Sequence, residues 1–299
     1  MTTATASGWS ALESALQTRH RLVEAELRRL VAPAPGPVAD ALQDALFAPA
    51  KRLRPILTLL VADVFRTEPD VVLPGACAIE LVHTASLILD DLPAMDDATT
   101  RRGRPACHIR HGEAGAILAA FALINKAFEL LAVGWPGGPD AAGRAALALA
   151  LAQAIGLDGL IAGQAMDLTM TGRSIDLKTL EYIHSRKTGA LFMAAATTGA
   201  QAARASEAEQ AALVAYSKNL GLAFQIVDDL IDATGDSAQS GKDVRKDAAK
   251  TTFVSFAGVA GARQLAQELA DASVGALDGL GPRADPLREL ARYVVTRKT

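Results

Sequence analysis

Two acidic clusters hold the residues of this chain best suited to chemistry. The segment Asp90-Asp91-Leu92-Pro93-Ala94-Met95-Asp96-Asp97 follows the apolar stretch Ile79 to Leu89 and crowds four carboxylates into eight residues. Like charges at that spacing repel one another, and hard divalent cations such as Mg²⁺ relieve the repulsion, above all where substrate phosphates complete the coordination. The second cluster, Asp228-Asp229-Leu230-Ile231-Asp232, follows the apolar stretch Leu220 to Val227. Four residues of helix turn through about 400°, so Asp228 and Asp232 share one face, one turn apart, and can share a metal. Asp90 and Asp96 diverge on a regular helix, but Pro93 lacks an N–H and disfavours helical geometry at Leu92. The expectation is a bulge at Pro93 and Ala94 that turns Asp96 back towards Asp90. The ordinary alternative for either cluster is a solvated helix end.

Basic residues stand at intervals around these clusters: Lys51, Arg52 and Arg54 upstream, Arg101, Arg102 and Arg104 just past the first cluster, then Lys187, Lys242, Lys246 and Lys250. Guanidinium groups match phosphate oxygens in geometry as well as charge. Carboxylates alone would suit calcium, yet the EF-hand spacing is absent; carboxylates, arginines and an apolar interior together suit a diphosphate ester with a hydrophobic tail. His83 precedes Asp90 by two helical turns on the same face, which leaves a phosphate-facing and a structural role equally open. His108, His111, Cys77 and Cys107 read as structural or surface residues.

The elements that position these groups are helices. Ala, Leu, Glu, Gln, Lys and Arg fill long stretches, alternating β-branched runs are missing, and the fold class is all-α. Ser10 with Glu13 reads as a capping box that opens the first helix. Breaks are expected at Ala32 to Pro37, Thr67 to Gly75, Gly134 to Asp140, Thr171 to Ser174, Thr234 to Lys242 and Asp278 to Pro286, each rich in Gly, Pro, Asp or Ser. No break looks like an interdomain linker, so residues 1–299 are read as a single large helical domain. Its surplus of apolar helix faces calls for a central cavity, an oligomer interface, or both.

Composition narrows the function classes. The chain has 299 residues, half of them hydrophobic and 4% aromatic, with a formal charge of -3. A weakly acidic, aromatic-poor protein has little to attract or stack nucleic acid. With Cys77 and Cys107 as the two cysteines and no CxxC pair, neither a disulfide framework nor a zinc site is expected, and a reducing, cytoplasmic setting fits. No signal peptide is read at the N-terminus. The apolar runs Ala114 to Ile124 and Ala145 to Ala152 fall short of the roughly 20 residues that span a bilayer, so no stable membrane insertion is expected.

From Lys51 to Phe256 the sequence resembles the trans-isoprenyl diphosphate synthases, and most closely the bacterial geranylgeranyl diphosphate synthases. The resemblance rests on KRLRP (Lys51 to Pro55), IELVHTASLILDDLPAMDD with RRGRP (Ile79 to Pro105), HGEAGAIL (His111 to Leu118), KTGALF (Lys187 to Phe192), and GLAFQIVDDLID with GKDVRKDAAKTTF (Gly221 to Phe253). It implies an all-α homodimer whose acidic motifs face each other across the mouth of a deep cavity. By that resemblance Asp90, Asp96 and Asp228 bind Mg²⁺, three ions with substrate bound, supported by Asp91, Asp229 and Asp232. Arg101, Lys187, Lys242 and Lys250 match ligands of the allylic diphosphate, whereas Lys51, Arg54, His83 and Arg102 match the isopentenyl diphosphate site. Lys187, Thr188 and Gln225 match residues beside the allylic cation. The chain departs from the family in having Ala48-Pro49-Ala50 where relatives often have Gly-Gly, and Ala120-Phe121 where many carry Gly-Asp.

The implied reaction ionises an allylic diphosphate, adds the isopentenyl double bond to the cation and loses a proton to the departing diphosphate. Ala85 lies about 7.5 Å along the helix from Asp90. Relatives that stop at fifteen carbons tend to carry an aromatic ring there; Ala85 and Ser86 leave space, so the expected product is mainly the twenty-carbon geranylgeranyl diphosphate, with Phe121, or the turn at Leu81 and Val82, as the cavity floor. The rival readings are a farnesyl diphosphate synthase of the same family, a class I terpene cyclase, a metal-dependent diphosphate hydrolase and a noncatalytic partner subunit.

Overall fold

The computed structural model describes residues 3–32, 35–234 and 251–297. Helices α1 (Thr3–Leu30), α2 (Pro37–Leu46), α3 (Leu53–Val64) and α4 (Pro69–Asp90) lead to a short hairpin, β1 (Thr100–Arg101) and β2 (Arg104–Pro105). Then come α5 (Cys107–Val133), α6 (Ala141–Ile155), α7 (Leu160–Met170), α8 (Leu177–His184), a π turn (Ser185–Gly189), α9 (Ala190–Ala202) and α10 (Glu207–Thr234). Helices α11 (Phe253–Ala276) and α12 (Asp285–Thr296) complete the described chain, separated by two 3₁₀ turns.

The core lies where α3, α4, α9 and α10 meet. Helix α9 buries Ala190, Ala194, Ala195, Ala196 and Ala200, and such small side chains let helix axes approach closely. Helix α4 is buried almost all round from Val72 to Ala85, as a central helix without a polar face must be. α5 packs along α4, α9 along α3, and α11 along α10. The hairpin turns at Arg102 and Gly103, whose φ values of 53° and 73° are the paired positive angles of a type I′ turn. It registers Thr100 opposite Pro105 and Arg101 opposite Arg104.

Three expectations are corrected here. Helix α1 is continuous from Thr3, so Ser10 stands inside it; no proline upstream stops the helix, and the S-x-x-E pattern is not its start. The expected break at Thr67 to Gly75 is shorter, because Pro69 opens α4 at the first helical position, where its missing N–H costs nothing. Among the described residues three stretches, Pro69–Asp90, Cys107–Val133 and Ala141–Met170, are long and apolar enough to cross a membrane by length and composition. The runs Ala114 to Ile124 and Ala145 to Ala152 end at polar residues, Asn125 with Lys126 and Gln153, that a spanning window tolerates. In this fold 78% of the apolar window of Pro69–Asp90 is buried inside the protein, against 33% and 17% for the other two stretches.

Candidate active site

The first acidic cluster is built by a helix that ends and a chain that folds back. Helix α4 stops at Asp90, and the Asp96 N–H donates to the Asp90 carbonyl at 2.9 Å. Asp97 and Ala98 donate in turn to the carbonyls of Leu92 and Asp91, so the loop around Pro93 returns Asp96 to Asp90 as its sequence requires. The Asp91 side chain is buried. Its two oxygens accept from Arg101 Nε at 2.9 and 3.1 Å, and Arg101 Nη2 adds a further bond. Burial raises the Asp91 carboxyl pKa, and the Arg101 hydrogen bonds oppose that rise only in part.

The π turn links the two clusters. Turns of this kind widen a helix locally and are frequent at functional sites. Two glycines let its backbone be approached from both sides. A Cβ on Gly163 of α7 would lie 2.3 Å from the Lys187 nitrogen, and one on Gly221 of α10 would lie 3.0 Å from the Gly189 Cα. Within this wedge Lys187 Nζ reaches Asp90 Oδ1 at 3.3 Å and Asp167 Oδ2 at 2.8 Å. Gln164 Nε2 donates to the same Asp90 oxygen at 2.6 Å. The next residue, Thr188, donates from Oγ1 to Gln225 Oε1 at 2.8 Å, and Gln225 Nε2 donates to Asp229 Oδ1 at 3.0 Å. A hydrogen-bonded path therefore runs from Asp90 to the second cluster.

That cluster stays within unbroken helix α10. Asp228 faces the site and binds Arg297 of the C-terminal segment, whose Nη2 lies 2.6 Å from Asp228 Oδ1 and 3.0 Å from the Phe224 carbonyl. The Arg297 guanidinium also stacks 4.0 Å from the centre of the Phe224 ring, and its side chain is only 4% exposed. Asp229 turns inward and accepts the Phe253 N–H at the start of α11 at 3.0 Å. Burial pushes its carboxyl up to about 6. Asp232 is exposed on the next turn.

The basic residues gather on the same side. Arg54 Nη1 lies 3.1 Å from His83 Nε2, and its guanidinium sits 4.7 Å from the Phe192 ring centre. Burial, joined by the nearby Arg54, holds His83 well below its usual range, so the neutral ring accepts from Arg54. Burial also brings Arg54 down to about 10, and its Nε has no hydrogen-bond partner among the described residues. Lys51 and Arg54 both feel the charge of Asp228, which puts this basic group beside the second cluster. Arg102 is held on the hairpin turn, where burial lowers its pKa. A cavity of about 400 Å³ opens beside Lys51 between α1 and α12.

Ala85, Leu81 and Val82 are buried along α4, and Ser86 donates from Oγ to the His83 carbonyl at 2.8 Å. Phe121 is a correction. It is 66% exposed on α5 whereas its neighbour Ala120 is fully buried, so Phe121 cannot floor a cavity inside its own chain. One step along a helix turns a side chain by about 100°, enough to exchange inside for outside. Lys242 and Lys250 lie outside the described residues. The sequence reading missed Gln164 and Asp167. Their signal was two polar residues three apart in the otherwise apolar LIAGQAMDL.

Among the described residues no three His, Cys, Asp or Glu side chains form a ready metal cage. The donor chemistry nevertheless suits Mg²⁺, which binds through one or two carboxylates and leaves other positions to water and phosphate. Asp90 and Asp228 are each neutralised by a cationic side chain, Lys187 and Arg297, at the two places where the sequence expects metal.

Two acidic motifs on one all-α scaffold, joined through a widened turn and flanked by a basic group, define an isoprenoid synthase fold. The family model described as polyprenyl synthetase matches residues 37–273. A farnesyl diphosphate synthase of Haemophilus influenzae is 39% identical over 95% of this chain and 97% of its own length. A geranylgeranyl diphosphate synthase of Cyanophora paradoxa is 38% identical over 94% of this chain and 95% of its own. The crystal structure of an FPP/GFPP synthase from Zymomonas mobilis superposes with a TM-score of 0.85 at 34% identity, covering 96% of this chain and 99% of that one. The chain belongs to the polyprenyl synthetase family and is a trans-prenyltransferase.

Proposed function

We propose that the protein condenses isopentenyl diphosphate with allylic diphosphates, dimethylallyl, geranyl or farnesyl, to give mainly geranylgeranyl diphosphate in a Mg²⁺-dependent reaction. The observation that carries this reading is the path from Asp90 through Lys187, Thr188 and Gln225 to the second acidic motif, with the Arg54–His83 pair beside it. Asp90, Asp96 and Asp228 would hold Mg²⁺, three ions with substrate bound, whose charge opposes the charge growing on the departing diphosphate. Lys187 offers its ammonium to the same leaving group. The Thr188 hydroxyl donates its hydrogen bond to Gln225 Oε1, which leaves its oxygen lone pairs for the positive charge on the allylic carbon. Arg101, Lys242 and Lys250 are assigned to the allylic diphosphate. Lys51, Arg54, His83 and Arg102 are assigned to isopentenyl diphosphate; a neutral His83 bonded to Arg54 leaves the guanidinium charge undiminished for phosphate.

Ala85 and Ser86, small residues on the helix behind Asp90, support a tail of twenty carbons. The farnesyl alternative draws on the Haemophilus influenzae relative. Ala85→Phe should shift the product to fifteen carbons, since overpacking by about 1 to 3 kcal/mol discriminates strongly but incompletely. A homodimer would cover the outer faces of α5 and α6, which expose Leu118, Phe121 and Leu149. The free thiols Cys77 and Cys107 suit a cytoplasmic setting. The test is mass spectrometry of products from isopentenyl diphosphate and each allylic starter, with and without Mg²⁺. A longer diphosphate formed only with Mg²⁺ is expected; a hydrocarbon, or diphosphate released without isopentenyl diphosphate, would refute the proposal.

A further inference from the structure

Between Lys51 and Arg54 stands a third cation that does not face the site at all. The Arg52 side chain is 0% exposed and pairs with Glu80, 2% exposed, on α4 and with Glu24 on α1. Nε donates to Glu24 Oε1 at 2.7 Å, Nη1 to Glu80 Oε1 at 2.7 Å, and Nη2 to the carbonyl of Leu46, the last residue of α2. All three guanidinium nitrogens are used, and they tie the start of α3 to three other helices. Arg52 is also the N-cap of α3, with φ 51° and ψ 34°. That left-handed conformation is costly for a residue with a Cβ and persists only where its surroundings enforce it.

We infer that Arg52, held by Glu80 and Glu24, is a positioning residue for the isopentenyl diphosphate site. The left-handed turn at Arg52 sets the direction in which Lys51 leaves the chain and the phase in which Arg54 enters α3. Glu80 precedes His83 by three residues on α4, so the Arg52–Glu80 pair also fixes the register that puts His83 Nε2 against Arg54. A buried, paired guanidinium is a costly way to join helices where apolar packing would serve. Its use here is explained by the geometry it imposes on the cations either side. The inference rests on the assignment of Lys51 and Arg54 to isopentenyl diphosphate.

The test is a steady-state comparison of the full chain with Arg52→Met/Glu80→Met, which removes both buried charges together, and with Arg52→Lys, which keeps the charge but loses the fork. Circular dichroism melts establish folding. In the double variant KM for isopentenyl diphosphate should rise roughly tenfold, with kcat and the KM of the allylic substrate within about twofold of wild type, because misplaced binding groups lose affinity for the substrate they hold. Arg52→Lys should fall between the two. A folded double variant with an unchanged KM for isopentenyl diphosphate, or an equal rise for both substrates, overturns the inference; if the double variant does not fold, an unchanged KM in Arg52→Lys does so. Lys51→Ala and Arg54→Ala separate the two levels. If neither raises the KM for isopentenyl diphosphate, the assignment of the site fails, and the inference with it.

Discussion

The two acidic motifs divide their work in the same way on different scaffolds. In each, the first carboxylate faces the site and is balanced by a cation, Asp90 by Lys187 and Asp228 by Arg297. In each, the second carboxylate is buried and anchors the backbone. Asp91 holds the arginine hairpin through the Arg101 ion pair, whereas Asp229 holds the start of α11 through the Phe253 N–H. The supports differ. The first motif straddles a helix end, and a loop must bring Asp96 back; the second lies within one helix and needs no loop. A broken scaffold relies on a charged lock, while a continuous helix manages with hydrogen bonds to neutral groups.

The largest effect should come from the site-facing pair. Asp90→Asn and Asp228→Asn should each lower kcat by about 10² to 10³, the usual loss when one electrostatic stabiliser of a transition state is removed; full activity in either would end the equivalence of the two motifs. The anchors should act on stability. Asp91→Asn leaves Arg101 without its counter-charge and should loosen the hairpin locally, read as faster amide exchange at Thr100 to Pro105; protection equal to wild type would contradict the anchoring role. Asp229→Asn should behave differently with pH. The raised carboxyl pKa of Asp229 gives stability that is present below its unfolded value and is lost as pH rises through about 6. The variant should therefore be nearly neutral at pH 4 and gain on wild type by about 1 to 2 kcal/mol by pH 7. A variant that loses ground as pH rises would contradict the assignment. The smallest effect is expected from Arg297→Gln. Removing the cation from Asp228 should lower the Mg²⁺ concentration for half-maximal activity by about twofold, as loss of one competing, partly screened charge would.

Both acidic clusters of the candidate site are legible in the amino-acid sequence. Residue type and spacing identified both motifs, and the stereochemistry of Pro93 foretold the returning loop. What the sequence concealed depends on contacts between distant segments. Gly163 and Gly221 approach the backbone of the π turn from two sides, and no local pattern announces that. Arg52 and Arg54 look alike in KRLRP, yet one is sealed among carboxylates and the other faces His83, since a two-residue step turns a side chain to another face. Phe121 went astray for a related reason: helix phase on α5 was not fixed by the apolar pattern, because both faces of that helix are apolar. Arg297 could be read as basic, but its reach to Asp228 depends on how α12 packs.

The central claim is that Asp90 and Asp228 act on one departing diphosphate, and a double-mutant cycle tests it most directly. Single-turnover rates would be measured for wild type, Asp90→Asn, Asp228→Asn and the double variant under saturating Mg²⁺ and both substrates. Groups that serve one transition state as a unit are strongly non-additive. The account predicts a double variant hardly slower than the worse single one; rate losses that multiply in full would show that the two carboxylates act independently, and would contradict it.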